Sequence, residues 1–252
     1  MDFNQSVILI TGSSRGIGRA VAHAFSQKGA RVAVHFNKCD REAQDTLKML
    51  DGIGHGIFSA DITKPDQAQN LVLDVINEMG ELSILVNNAG IYETNSIADV
   101  SYSFWQKNWH DTLGVNLVGA SNVTYSAVEH MMKLHRGKIV NISSRGAFRG
   151  EPNAPAYAAS KAGLNAFSQS MAQALAPHNI FVYVVAPGFV DTDMAFDVLS
   201  SSEGESIRKQ SPLGRIALPE EVANTVVFLA SEGTDYLTGC ILDVNGASYL
   251  RN

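Results

Sequence analysis

Short β-branched runs alternate along the chain with longer stretches whose apolar positions recur at helical spacing. VILI at 7–10 comes first, followed by an amphipathic stretch over 15–28, then RVAVHF and a helical pattern over 40–50. HGIFSA leads into a helical pattern over 65–78, where Pro65 suits a first turn that has no use for its missing N–H. SILVNNAG, a long helical region over 104–134, KIVNIS, a second long helical region over 156–174 and FVYVVAPG come next. A helix over 219–229 and CILDVNG complete the alternation. These strand candidates, about seven, are apolar on both faces, as strands covered by helices on each side must be. Helical crossovers between them require parallel pairing. The pattern therefore predicts an α/β fold, a doubly wound parallel sheet. No composition break or internal repeat marks a linker, so 1–252 reads as one domain. The least regular piece, 191–214 with its SSSEGES run, reads as a mobile flap.

Composition narrows the partners more than the fold. With 252 residues, 45% hydrophobic and 17% charged, the chain buries a core without disulfide or metal staples. Its net charge of -6 argues against nucleic acid or an anionic membrane, both of which need a basic face. Cys39 and Cys240 form no disulfide framework, so a reducing, cytoplasmic setting is expected. The opening MDFNQSVILI has no basic flank, so neither a signal nor a transit segment is expected. No apolar run approaches the ~20 residues that cross a bilayer. The histidines lack metal-ligand spacing, so no metal is expected, and no GxSxG elbow points to a hydrolase.

VILITGSSRGIG combines a strand, a tight turn and a helix start, with Gly12, Gly16 and Gly18 in a TGxxxGxG spacing. Glycines allow the turn and let a pyrophosphate approach the backbone, while the helix N-terminus offers unpaired N–H donors and a positive dipole end. The context, directly after the first strand, is the one that gives such a pattern meaning. A carboxylate at the end of the second strand would bind the adenosine ribose of NAD and repel a 2′-phosphate. The chain has Asn37 and Lys38 there, with Arg15 in the glycine loop as another cation. The expected cofactor is NADP(H) rather than NAD(H).

YAASK places Tyr157 and Lys161 one helical turn apart on one face. Reduction of a ketone leaves an alkoxide that needs a proton. A phenol can supply it, but its ordinary pKa of ~10 is far from neutral. A neighbouring ammonium stabilises the phenolate and is expected to lower that value toward the working pH.

TGSSRGIG, NNAG, VNLVG, NISS, YAASK and APGFVDT occur in the order and spacing of the short-chain dehydrogenases/reductases, and the resemblance spans essentially the whole chain. SPLGRIALPEEVA and YLTGCILDVNG make it most similar to the 3-oxoacyl-(acyl-carrier-protein) reductases of fatty acid biosynthesis. The resemblance implies a Rossmann fold and a catalytic tetrad of Asn116, Ser144, Tyr157 and Lys161. Ser144 would polarise the substrate carbonyl, Asn116 would belong to a water relay through Lys161, and Lys161 would also bind the nicotinamide ribose. It assigns Gly12, Ser14, Arg15, Gly16, Ile17 and Gly18 to the phosphates. Asp61 and Ile62 go to the adenine, Asn88, Ala89 and Gly90 to the adenosine ribose, and Pro187, Gly188, Val190 and Thr192 to the nicotinamide amide. It also implies a cytoplasmic homotetramer, with an acyl carrier protein as a candidate partner.

The chain departs from that family at two places. His135 and His178 stand where arginines commonly dock the acidic carrier, with Lys133, Arg136 and Lys138 nearby as replacements. Phe181 and Tyr183 stand where Arg and Asn are common, which bears on subunit packing or on a hydrogen bond under the site. The sequence thus leaves open a reductase of 3-oxoacyl thioesters, an enzyme for small ketones or secondary alcohols not carried on the carrier protein, and a cofactor-binding scaffold or sensor without catalysis.

Overall fold

Each short strand run alternates its side chains between two apolar layers. Ile8 and Ile10 enter one core with Val32 and Val34, while Val7 and Leu9 enter the other with Ala33. A strand buried on both faces needs helices above and below, and the computed structural model, which describes residues 2–200 and 204–251, supplies them. The elements run β1 (Val7–Ile10), α1 (Gly16–Ser26), β2 (Arg31–Phe36), α2 (Asp40–Lys48), β3 (Gly56–Ser59), α3 (Pro65–Met79) and β4 (Ile84–Asn87). Next come α4 (Tyr102–Leu113), α5 (Ala120–Leu134), β5 (Gly137–Ile142), α6 (Gly146–Arg149), α7 (Pro155–Leu175) and β6 (Ile180–Pro187). α8 (Asp193–Ser200), α9 (Gly204–Lys209), α10 (Pro219–Ala230) and β7 (Ile241–Val244) follow.

The strands form one parallel sheet in the order β3-β2-β1-β4-β5-β6-β7. Helices α1 and α10 cover one face through Val21, Phe25, Val222 and Val226. Helices α3 and α5 cover the other through Leu71, Val75, Val123 and Met131. Burying Phe25 alone stabilises the fold by roughly 1.5–3 kcal/mol. The strand order reverses between β1 and β4, which leaves a crevice at the carboxyl ends of the strands. That crevice holds the site.

One expectation is corrected. The long helix expected over 104–134 is interrupted by a π-helical turn, Gly114–Gly119, between α4 and α5. Glycine at both of its ends weakens the regular helix there, and such wide turns favour functional positions. In the expected flap, 193–200 and 204–209 are helical, and residues 201–203 lie outside the described residues. Tyr183 is fully buried, and its hydroxyl donates to the Thr234 carbonyl at 3.3 Å. Among the described residues, no helix is long and apolar enough to cross a membrane.

Candidate active site

The glycine loop joins β1 to α1 with Gly12 and Gly16 at φ of 65° and 55°, the left-handed region that glycine enters without strain. A Cβ on Gly18 would sit 2.4 Å from the Gly12 carbonyl oxygen and 2.5 Å from Asn88 Nδ2, so the first turn of α1 packs against the loop only with glycine at that position. Arg15 leads into α1 without a side-chain cap, leaving the helix-start N–H groups for a ligand. Asn88 Nδ2 donates to the carbonyls of Thr11 and Gly12, both at 3.0 Å. Thr11 Oγ1 in turn accepts from the N–H groups of Asn88 and Ala89 at 3.0 Å. Asn88, read from the sequence as a cofactor residue, thus spends its amide on fixing the loop.

His35 is a second anchor, marked in the sequence only by its place near the end of β2. Its Nδ1 accepts the Gly12 N–H at 3.0 Å, and its Nε2–H donates to the Ala60 carbonyl at 3.1 Å. Its backbone N–H donates to Ser13 Oγ at 2.9 Å, and its carbonyl accepts from Ser13 N–H at 3.0 Å. Burial lowers its pKa to about 4, so the ring is neutral and each nitrogen has one role.

A cavity of about 510 Å³ opens from this loop, within the range of small-molecule sites. At one end stand Asn37, Lys38, Asp61 and Ile62. Asp61 accepts from the Thr63 hydroxyl at 2.7 Å, and that bond, helped by the Thr63 N–H and the charges of Lys64 and Lys38, holds its carboxyl below the usual range against a smaller desolvation effect. In the middle are Gly12, Ser14, Arg15, Gly16 and Ile17, facing Asn88, Ala89 and Gly90. At the other end are Ser144, Tyr157, Lys161, Pro187, Gly188, Val190 and Thr192. Gly18 and Asn116, also expected at the site, stand behind this lining. The glycine cradle, the helix-start donors and the cations near the end of β2 fit a dinucleotide.

The reactive groups meet where β5, α6 and α7 converge. Lys161, 4% exposed, donates from Nζ to the Ile142 carbonyl at 2.8 Å, and its Nζ lies 5.8 Å from the centre of the Tyr157 ring. Burial lowers the Lys161 pKa to about 8. Ser144 and Tyr157 line the same end of the cavity. The Tyr157 pKa is pushed up to about 12, first by burial and then by the negative charge of Glu151, against the lowering effect of the Ser144 hydroxyl. The sequence expectation that Lys161 lowers this pKa is not met here, because desolvation of the phenolate outweighs any help from the amine. Tyr92 meets the Tyr157 ring edge-on, with centroids 4.9 Å apart.

Asn116 lies in the π-helical turn. Its Oδ1 accepts the Ile91 N–H at 2.8 Å, and its Nδ2 donates to the Ile91 carbonyl and to Ser160 Oγ, both at 3.0 Å. A Cβ added to Gly90 would be 3.3 Å from Asn116 Oδ1 and 3.5 Å from Lys161 Nζ, so the two polar groups border the same glycine. The sequence reading also missed Thr11, Tyr92, Arg145, Glu151 and Phe189. All lie beside motif residues, but only folding shows where they point.

A family profile described as enoyl-(acyl carrier protein) reductase matches residues 12–247. The 3-oxoacyl-[acyl-carrier-protein] reductase FabG of Escherichia coli strain K12 is 37% identical over 250 residues, covering 99% of this chain and 100% of that protein. FabG of Aquifex aeolicus is 38% identical over 246 residues, covering 96% and 97%. FabG of Staphylococcus aureus strain Mu50 is 35% identical over 244 residues, again covering 96% and 97%. With this likeness along nearly its whole length and the dinucleotide cleft described above, the chain belongs to the short-chain dehydrogenase/reductase family of oxidoreductases, within which it resembles the 3-oxoacyl-(acyl-carrier-protein) reductases.

Proposed function

We propose that the chain is a cytoplasmic, NADP(H)-dependent reductase that converts a carbonyl to a secondary alcohol, with a 3-oxoacyl thioester as its substrate. The observation that carries this reading is that Ser144, Tyr157 and Lys161 line the same cavity as the glycine loop, with Lys161 Nζ 5.8 Å from the Tyr157 ring centre. NADP(H) supplies the hydride. The chain holds its phosphates on the loop from Gly12 to Gly18 and its 2′-phosphate with Lys38 and Arg15, since no carboxylate ends β2 to repel it. Asp61 and Ile62 border the adenine, Asn88, Ala89 and Gly90 the adenosine ribose, and Pro187, Gly188, Val190 and Thr192 the nicotinamide amide.

Ser144 donates to the carbonyl oxygen and stabilises the charge that develops there. Tyr157 then protonates the oxygen. A phenol with a pKa of about 12 is fully protonated at neutral pH, and an alkoxide resembles hydroxide, whose conjugate acid has a pKa of ~15.7, so the proton moves downhill. Lys161 holds the nicotinamide ribose, and a water beside Gly90, between Asn116 and Lys161, replenishes the proton.

A specific observation favours a second reading, in which the thioester or ketone is not carried on an acyl carrier protein. Arg136, one of the cations near His135, pairs with Glu81 at 2.6 Å. Lys138 turns inward to the Ser231 carbonyl, Thr234 Oγ1 and Asp235. That leaves the face weakly basic toward an acidic partner. The assembly is read as a homotetramer, supported by exposed Val118 in the π-helical turn and Tyr125 on α5, and sedimentation velocity tests it.

The experiment follows NADPH and NADH consumption with an acetoacetyl group on carrier protein, on coenzyme A and on a short thiol, beside simple ketones. The proposal expects NADPH-dependent reduction of the thioesters, and a preference for the carrier-bound form separates the first reading from the second. Equal turnover with NADH would refute the cofactor assignment. Tight NADPH binding without turnover of any carbonyl would leave a non-catalytic scaffold.

A further inference from the structure

Arg145 follows Ser144 directly and is only 3% exposed. Its guanidinium lies over the ring of Phe189, 5.0 Å from the centroid. It donates to Gln210 Oε1 at 2.6 Å and to Ser248 Oγ, while its backbone N–H donates to the Pro187 carbonyl at 2.9 Å. These side-chain partners are neutral. Among the described residues no carboxylate lies within ion-pair distance, because Glu151 pairs with Arg149 at 3.4 Å and Glu221 with Arg215 at 2.7 Å. Burial and repulsion from Arg149 lower its pKa to about 10. A buried guanidinium with only neutral acceptors is a cost to the fold that an apolar side chain would avoid.

Its position gives a reason for keeping it. Arg145 and Phe189 line both the reactive end of the main cavity and a second cavity of about 80 Å³. The stacked pair is the partition between the two. Beyond it the second cavity is faced by Ile207, Leu213, Ile216 and Val244, with Ser211, Asn245 and the Arg215–Glu221 pair at its polar side. Gln210 and Ser248 hold the guanidinium from two separate segments, so the plane of the partition is fixed. Arg145 follows Ser144 directly, and both line the reactive end of the main cavity.

We propose that the Arg145–Phe189 partition determines substrate size, limiting the group on one side of the carbonyl to a short or compact one and closing off the apolar space behind it. This rests on the reductase reading above. Longer substrates are excluded by the stacked pair rather than by lack of volume beyond it.

The test is kcat/KM for a graded series of 3-oxoacyl N-acetylcysteamine thioesters, from acetoacetyl to longer chains, with NADPH. The unaltered enzyme is expected to prefer the short members. Phe189→Ala is expected to raise the long-to-short ratio about tenfold or more, the scale on which apolar pockets discriminate. Gln210→Leu, which unpins the guanidinium from outside the reactive end, is expected to raise the same ratio by about threefold. A ratio within about twofold of the unaltered enzyme in every variant that folds by circular dichroism overturns the proposal, as does an unaltered enzyme that reduces long and short members equally. If Phe189→Ala does not fold, Gln210→Leu decides alone. An unaltered enzyme that reduces no carbonyl defeats the reductase reading and this proposal with it, whereas an active enzyme with an unmoved ratio defeats only the partition.

Discussion

Lys161 Nζ lies 5.8 Å from the centre of the Tyr157 ring, and Ser144 lines the same cavity, so the candidate proton donor and the candidate carbonyl-polarising hydroxyl face one space. Tyr157→Phe deletes the proton and is expected to lower kcat by ~10²–10⁴-fold. Ser144→Ala is expected to lower it by ~10²–10³-fold. NADPH Kd, read by fluorescence, should stay within about threefold in both variants. A Tyr157→Phe enzyme that retained more than a few per cent of its turnover would remove the phenol from the proton-donor role.

The pKa values of Tyr157 and Lys161 set a direction. With Tyr157 at about 12, the phenol form that reduction requires is present throughout the neutral range. The phenolate that alcohol oxidation requires grows as pH rises, so the oxidation rate is expected to climb into the alkaline range. Lys161, at about 8, loses its charge as pH passes that value, so kcat/KM for reduction should fall above it. Lys161→Met should weaken NADPH binding and flatten that alkaline limb. Initial rates in both directions across pH check this, and an oxidation rate that falls with pH would contradict it.

His35 links the glycine loop to stability. Its folded pKa of about 4 lies below the ordinary 6.5, so the folded state binds fewer protons than the unfolded state between those values. The stability from its neutral form is complete above 6.5 and is lost as pH falls toward about 4, at most ~3 kcal/mol. Thermal melts at pH 7.5 and 5 should show a drop that shrinks in His35→Asn. An equal drop in both proteins would place the acid sensitivity elsewhere.

Gly18→Ala introduces a methyl group against a backbone oxygen at 2.4 Å, and backbone cannot yield as a flexible side chain does. The variant is expected to lose ~1–3 kcal/mol of stability and to bind NADPH at least tenfold more weakly. Calorimetry and a binding titration measure both effects. Near-native affinity would show that the loop tolerates more than its geometry implies.

Periodicity made the layers legible. Strands such as VILI are apolar at every position, and the helix starts at Pro65 and near Pro155 follow from local chemistry. The π-helical turn was not legible, because Gly114–Gly119 keeps a helical pattern and the extra residue per turn is set by packing. Motif spacing groups Ser144, Tyr157 and Lys161, and all three line one cavity. It did not show that desolvation would dominate the phenol, since burial depends on Tyr92, Glu151 and the surrounding fold. Asn88 and Gly18 were legible as motif residues but not as supports, because Asn88 reaches across from the end of β4 to Thr11 and Gly12, and to the space beside Gly18.

The first strand of the chain is an interior strand of the sheet, with β2 on one side and Ile8 against Ile84 of β4 on the other. During synthesis, β1 therefore emerges from the ribosome long before the strand that closes its second edge. Through all the intervening elements the nascent chain carries an apolar ribbon with one row of unpaired amides and carbonyls, the kind of edge that recruits other chains. Slower synthesis across β2 to α3 lengthens the time that edge stays bare, and is expected to raise the share of chain lost to aggregation.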